Sequence, residues 1–175
     1  VVVYDTDFNE QAVYIADQTP INDAVFLADN SGLLVATNSG RTITRYDFAT
    51  EQSEVLAEDA RIASGVYYEQ LVVSPDGNWY AYTSANNTFI IATLDGSTKQ
   101  AFDALGEDSE AQEPESIGLP LPGMPTAVAI APDSNQIAIF NNITNSVRIW
   151  DITAGLTLTP VGDPVQVLPQ SSGMA

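Results

Sequence analysis

Two residue types are missing from this 175-residue chain: cysteine and histidine. Without cysteine no disulfide can form, and cysteine usage gives no sign of compartment. Zinc, haem and iron–sulfur centres lose their usual ligands, so no such cofactor is expected. Nucleophilic catalysis by Ser-His-Asp or Cys-His groupings is excluded within the chain. Bases are scarce as well: Lys and Arg total 5 against 23 acidic residues, a formal charge of −18, and Lys99 is the single lysine. Such a surface repels phosphate backbones and anionic lipid headgroups. A nucleic-acid partner is therefore not expected, whereas a basic protein, a cation or a saline, extracytoplasmic or secreted setting fits. No segment approaches the roughly 18 consecutive apolar residues a membrane helix needs. The opening Val1-Val2-Val3-Tyr4-Asp5 has neither an initiator Met nor the basic-then-apolar order of a signal peptide, and reads as a mature or excised piece of a longer protein.

What is present is apolar and repetitive. Hydrophobic residues make up 45 % of the chain and charged ones 16 %, enough for a core of ordinary domain size. Four apolar or alternating runs end in Asp: Val1–Asp5, Ile43–Asp47, Ile91–Asp95 and Val147–Asp151. Their aspartates lie 42, 48 and 56 residues apart. The first spacing suits a repeat of roughly 40–45 residues, and the others need insertions. Before each of the last three aspartates stands a pair of apolar runs around a turn. Ala24–Leu27 and Leu33–Ala36 flank Asp29-Asn30-Ser31-Gly32. Leu71–Val73 and Trp79–Tyr82 flank Ser74-Pro75-Asp76-Gly77. Ala127–Ile130 and Ile137–Phe140 flank Ala131-Pro132-Asp133-Ser134. Pro presets φ, and Asp, Asn and Gly accept the unusual angles of tight turns. Both faces of these runs are apolar, which fits sheets packed on both sides. A shorter, more polar strand follows each Asp: Ala12–Ile15, Ser53–Leu56, Lys99–Phe102 and Val165–Leu168, as outer edges should be.

Four antiparallel strands per repeat is the unit of a propeller blade. The Ser74-Pro75-Asp76-Gly77 turn and the Val147-Arg148-Ile149-Trp150-Asp151 strand end resemble those of WD-repeat β-propellers of the looser bacterial type. The chain lacks the Gly-His pair of the fuller WD pattern, and Tyr4, Tyr46 and Leu94 stand where that pattern has Trp. The resemblance implies an all-β propeller segment of about three and a half four-stranded blades, incomplete over 1–168. A half blade over 1–16 precedes blades over 20–57, 69–102 and 124–168, with an insertion over 103–123 and a tail over 169–175. It also implies a binding or scaffolding role. Three accounts of the half blade stay open: a fragment of a longer chain, completion by another chain through strand addition, or an open array.

Few residues point to chemistry. The 103–123 insertion concentrates Glu107, Asp108, Glu110, Glu113 and Glu115, a solvated loop, a docking arm for a basic partner or a cation-binding stretch. Asp5, Asp47, Asp95 and Asp151 are expected to accept hydrogen bonds from turn amides, a structural role. Asp5-Thr6-Asp7-Phe8-Asn9-Glu10 starts like a calcium loop but has Glu10 where Gly is needed and Ala16 where the bidentate Glu belongs. Asn86 and Asn142 match the glycosylation pattern. Residues 57–68 have room for a short helical turn. The aromatics Tyr67, Tyr68, Trp79, Tyr80 and Tyr82 are expected to pack between blades, and Ala127 and Ala129 to suit a narrow axis. The expected function is a non-catalytic propeller scaffold or protein-binding module, a subunit or fragment of a larger protein or assembly. The alternative is a divalent-cation-dependent propeller hydrolase or lactonase.

Overall fold

A computed structural model describes residues 1–14, 21–37, 42–58, 71–83, 88–103, 125–141 and 145–167. Among the described residues the regular structure is all strand. The first sheet pairs β1 (Val2–Tyr4) with β2 (Glu10–Val13). The second runs in sequence order through β3 (Ile21–Phe26), β4 (Gly32–Thr37), β5 (Thr42–Asp47) and β6 (Gln52–Glu58). The third does the same with β7 (Leu71–Val73), β8 (Trp79–Thr83), β9 (Thr88–Thr93) and β10 (Lys99–Asp103). The fourth contains β11 (Pro125–Ile130), β12 (Gln136–Asn141), β13 (Ser146–Thr153) and β14 (Thr157–Pro160), with β15 (Val165–Gln166) also on β13. Every pairing is antiparallel.

The apolar runs show no polar phase because successive side chains enter different cores. In β8, Tyr80 and Tyr82 join a cluster with Leu27, Leu34, Ala36 and Ile43 of the preceding sheet. Their neighbours Trp79 and Ala81 join Ile137, Ile139 and Trp150 of the following sheet. Strand β9 divides likewise, Ile90 and Ala92 to one side and Phe89 and Ile91 to the other. With a side-chain period of 2, a strand buried on both faces must be apolar throughout. A third cluster ties Tyr14 of the first sheet's end to Leu33, Val35 and Tyr46, with Val3 and Ala12 packed on it. The sheets thus stack in chain order. Their closest approaches run between the inner strands, β3 to β7 and β7 to β11.

Polar bonds register the stack. Asp23 Oδ2 on β3 accepts the Leu71 amide of β7 at 3.0 Å. The Ser134 hydroxyl, 5 % exposed and on a residue with φ of 62°, accepts the Asp76 amide of the preceding sheet's turn at 3.0 Å. At the start of β4, Gly32 is required by proximity: a Cβ there would lie 2.1 Å from the Tyr46 carbonyl oxygen.

The last sheet departs from expectation at its outer edge. The returning strand begins at Thr157, not Val165, because Gly155 (φ 77°) and Leu156 (φ 60°) turn the chain at once after β13. Thr157–Pro160 lies opposite Trp150–Thr153. The chain then swings out through Gly162 (φ 66°) and Pro164, and re-pairs at Val165 and Gln166 opposite Val147 and Ser146. The edge is split, and Leu168 lies outside the described residues, as do 59–68 of the segment expected to hold a helical turn.

Because Ile91 is fully buried between two sheets, Ile91→Ala should lower the unfolding free energy by about 2–4 kcal/mol. Val55→Ala on the exposed edge strand should cost less than about 0.5 kcal/mol. Urea unfolding followed by circular dichroism measures both, and equal losses would contradict the double-sided core.

Candidate binding surface

The turns joining the first two strands of each four-stranded sheet and those joining its last two lie at one end of the stack. Each first turn is built alike. Asp29 Oδ1 accepts the Ser31 amide at 2.9 Å, Asp76 Oδ1 that of Asn78 at 3.1 Å, and Asp133 Oδ1 that of Asn135 at 3.1 Å. A carboxylate taking the amide two residues on closes the turn locally. The residue after each Asp has positive φ: Asn30, Gly77 and Ser134.

The four aspartates singled out in the sequence do not share one geometry. Asp5 lies in the turn after β1, where Oδ1 accepts the Asp7 and Asn9 amides, both at 2.9 Å, and Oδ2 accepts Asn9 Nδ2 at 3.1 Å and Gln11 Nε2 at 3.0 Å. Asp47 Oδ1 accepts both the amide and the hydroxyl of Thr50 at 2.8 Å. Asp95 Oδ1 accepts the Ser97 amide at 2.9 Å. Asp151 differs. It sits two residues inside β13, and its Oδ1 takes Gln136 Nε2 across the strand pair at 2.8 Å. Strand β13 overruns the Asp, so its carboxylate faces a neighbouring strand and no turn amide.

Hydrogen bonding holds most of these carboxyls below the usual range. Asn9 does so chiefly for Asp5 and Thr50 for Asp47, while Thr93 and the Ser97 amide bring Asp95 down to about 2. For Asp76, burial opposes ionisation, but hydrogen bonds with Ser74, Asn78 and Ser134 outweigh it. Burial raises the Tyr80 phenol to about 12. Glu107, Asp108, Glu110, Glu113 and Glu115 lie outside the described residues, as do Tyr67, Tyr68, Asn86 and Asn142.

Between the turns of the second and third sheets lies a cavity of about 220 Å³, with Asp29, Arg45, Asp76 and Gly77 in its lining. Gly77 approaches the Ala28 side chain, where an added Cβ would stand 3.4 Å away, and this brings the two turns together. The Arg45 charge adds a smaller lowering to Asp29, after hydrogen bonds with Ser31. The cavity thus places one cation, Arg45, alongside the Asp29 and Asp76 turns. Its parts are visible in the sequence only as the recurring Asp two residues before Ser or Asn; Arg45 shares its strand with Asp47, and nothing local joins the two turns. Among the described residues no group of three acidic side chains comes together as a metal-binding set, and no helix is long and apolar enough to cross a membrane.

Apolar side chains are also left in solvent. Val2, Tyr4 and Val13 are exposed on the first sheet. On the fourth, Ala127, Ala129, Ile149 and Val165 are exposed on the face turned away from the third. Phe26, 53 % exposed, meets Phe48 edge to face at 6.2 Å.

No family model matches the chain, and no curated protein does. Solved structures do. A candidate 6-phosphogluconolactonase from Bacteroides fragilis superposes with a TM-score of 0.60 at 17 % identity, over 94 % of this chain and 43 % of that one. The WD40 repeats of RRP9 match with a TM-score of 0.61 at 14 % identity, over 87 % and 40 %. The β-propeller domain of Cps50 (Swd1) from Myceliophteria thermophila matches with 0.50 at 18 % identity, over 81 % and 42 %. The fold is that of a partial β-propeller. Each four-stranded sheet is a blade, and the chain spans less than half the length of the propellers it matches.

The low carboxyl values make a pH prediction. A carboxyl with a depressed folded pKa adds stability that is complete above its unfolded value, near 3.9, and is lost as pH falls through the folded one. For Asp95 that window runs from roughly pH 4 down to about 2. Asp95→Asn keeps an acceptor for Ser97 and removes the titration. Its melting temperature should decline less steeply than the wild type's over that window, and parallel curves would refute the assignment.

Proposed function

We propose that this chain is a non-catalytic propeller scaffold or protein-binding module, part of a larger protein or assembly. The observation carrying this reading is the exposed apolar surface on a rigid frame. Val2, Tyr4, Phe26, Ile149 and Val165 are large apolar side chains in solvent on blades whose interiors are closely packed. They lie at the two ends of the stack, on the first and second sheets and on the far face of the fourth, and apolar side chains left in solvent there suit contact with further polypeptide. The turn carboxylates are engaged within their own turns, and the WD40 neighbours give the same fold. The WD-like turn at Ser74–Gly77 and the Trp150-Asp151 pair favour a distant WD-repeat-like kinship. The charge of −18 favours a basic partner and suits a saline, extracytoplasmic setting.

Within this reading the acidic insertion is the steering element. Replacing Glu107, Glu110, Glu113 and Glu115 by Gln and Asp108 by Asn should slow association with a lysine-rich peptide several-fold at low salt and flatten its salt dependence, with an unchanged melting temperature. Stopped-flow fluorescence reads the rate, and an unaltered rate removes the docking role.

The second reading, a divalent-cation-dependent propeller hydrolase or lactonase, is favoured by the likeness to the Bacteroides fragilis protein, a likeness of fold. Hydrolysis of 6-phosphogluconolactone decides between the readings. With calcium or magnesium present, adding the chain should leave the spontaneous rate unchanged. Cation-dependent turnover would replace the scaffold reading with the lactonase one.

A further inference from the structure

We infer that the cavity between the turns of the second and third sheets binds a free α-amino acid with a short aliphatic side chain. Arg45 takes its carboxylate and Asp29 its ammonium. This goes beyond the protein-binding reading and does not depend on it. The first observation is a change of residue kind at one register position. Phe26, Val73 and Ile130 end the inner strands opposite Leu33, Tyr80 and Ile137. The next residues, Leu34, Ala81 and Ala138, pair with Arg45, Ile91 and Ile149, which therefore hold one place in their blades. In the third blade Ile91 is fully buried and packs the junction with the fourth. At the same place the second blade has a partly buried cation. Its junction with the third blade opens there as the cavity of about 220 Å³, with Arg45 in the lining.

The second observation is that the guanidinium is uncommitted. Its N–H donors make no hydrogen bond and no ion pair among the described residues. Asp29 and Asp47 feel its charge, but hydrogen bonds with Ser31 and Thr50 act on them more strongly. A guanidinium receives a carboxylate through two parallel hydrogen bonds. A net anion is opposed here, because Asp29 and Asp76 share the cavity and the chain carries −18. A zwitterion avoids that repulsion. Both Asp76 oxygens already accept bonds from Asn78. Asp29 Oδ1 accepts the Ser31 amide, and a carboxylate has room for about four hydrogen bonds, so Asp29 is the better partner for an ammonium. Leu27, Ala28 and Leu94 give the cavity an apolar wall for the side chain. Its volume matches about seven waters at roughly 30 Å³ each. That is below the roughly 300–1,000 Å³ of sites for drug-sized molecules and suits a ligand as small as valine.

L-Valine is the probe, titrated into isotope-labelled protein at fixed ionic strength and followed by NMR at the Gly77 amide and the Arg45 side-chain N–H. The shifts should saturate with a Kd on the order of 1 mM. Acetate and methylammonium each carry half of the zwitterion and should bind about ten-fold more weakly. L-Tryptophan, too large for the cavity, should not compete. Arg45→Gln should abolish saturation by valine and by acetate. Asp29→Asn keeps an acceptor for the Ser31 amide, and it should weaken valine several-fold while strengthening acetate. No saturation by valine, equal binding of valine and acetate, or unchanged valine binding in the variants overturns the inference. If Arg45→Gln fails to fold, the ligand series and Asp29→Asn decide the matter. A negative result leaves the protein-binding reading standing, since the lysine-rich peptide tests the acidic insertion. Loss of that peptide's association would in turn leave the valine result unaltered.

Discussion

Burial on both faces of each blade is the constraint on which the structure depends. A sheet with one polar face can be stable with its back to water. The third blade cannot, because Tyr80, Tyr82 and Ile90 need the second blade while Trp79, Phe89 and Ile91 need the fourth. Stability is therefore a property of junctions, as in other stacked repeats. The exposed apolar residues follow from the same rule. Ile149 and Val165 lie on the face of the fourth blade that has no further junction among the described residues, while the corresponding face of the third, with Ala81, Phe89 and Ile91, is fully buried.

The turns show how little long-range information the blade ends need. An Asp accepting the amide two residues on, followed by a residue of positive φ, closes the turn from within. Between blades, single bonds suffice to fix the offset: Asp23 to the Leu71 amide at the inner strands, Ser134 to the Asp76 amide at the turns. Ser134 holds a conformation that L-residues enter reluctantly, and the bond it makes to the neighbouring turn accounts for a serine there where the third blade has Gly77.

The parts legible in the sequence were those set by neighbours along the chain. The apolar runs at Leu33–Ala36, Trp79–Tyr82 and Ile137–Phe140 lie within strands, and the turns between runs fall at Asp29, Asp76 and Asp133. Illegible were features set by distance along the chain or by strand length. Asp151 looked like a turn residue because it follows Trp150, but β13 runs on to Thr153, and cross-strand pairing gave its carboxylate to Gln136. The outer edge of the last blade is expected from the sequence at Val165–Leu168, although the turn at Gly155 and Leu156 returns the chain earlier, at Thr157. The cavity at Arg45 joins turns of two blades, and no local pattern could place Asp29 beside Asp76.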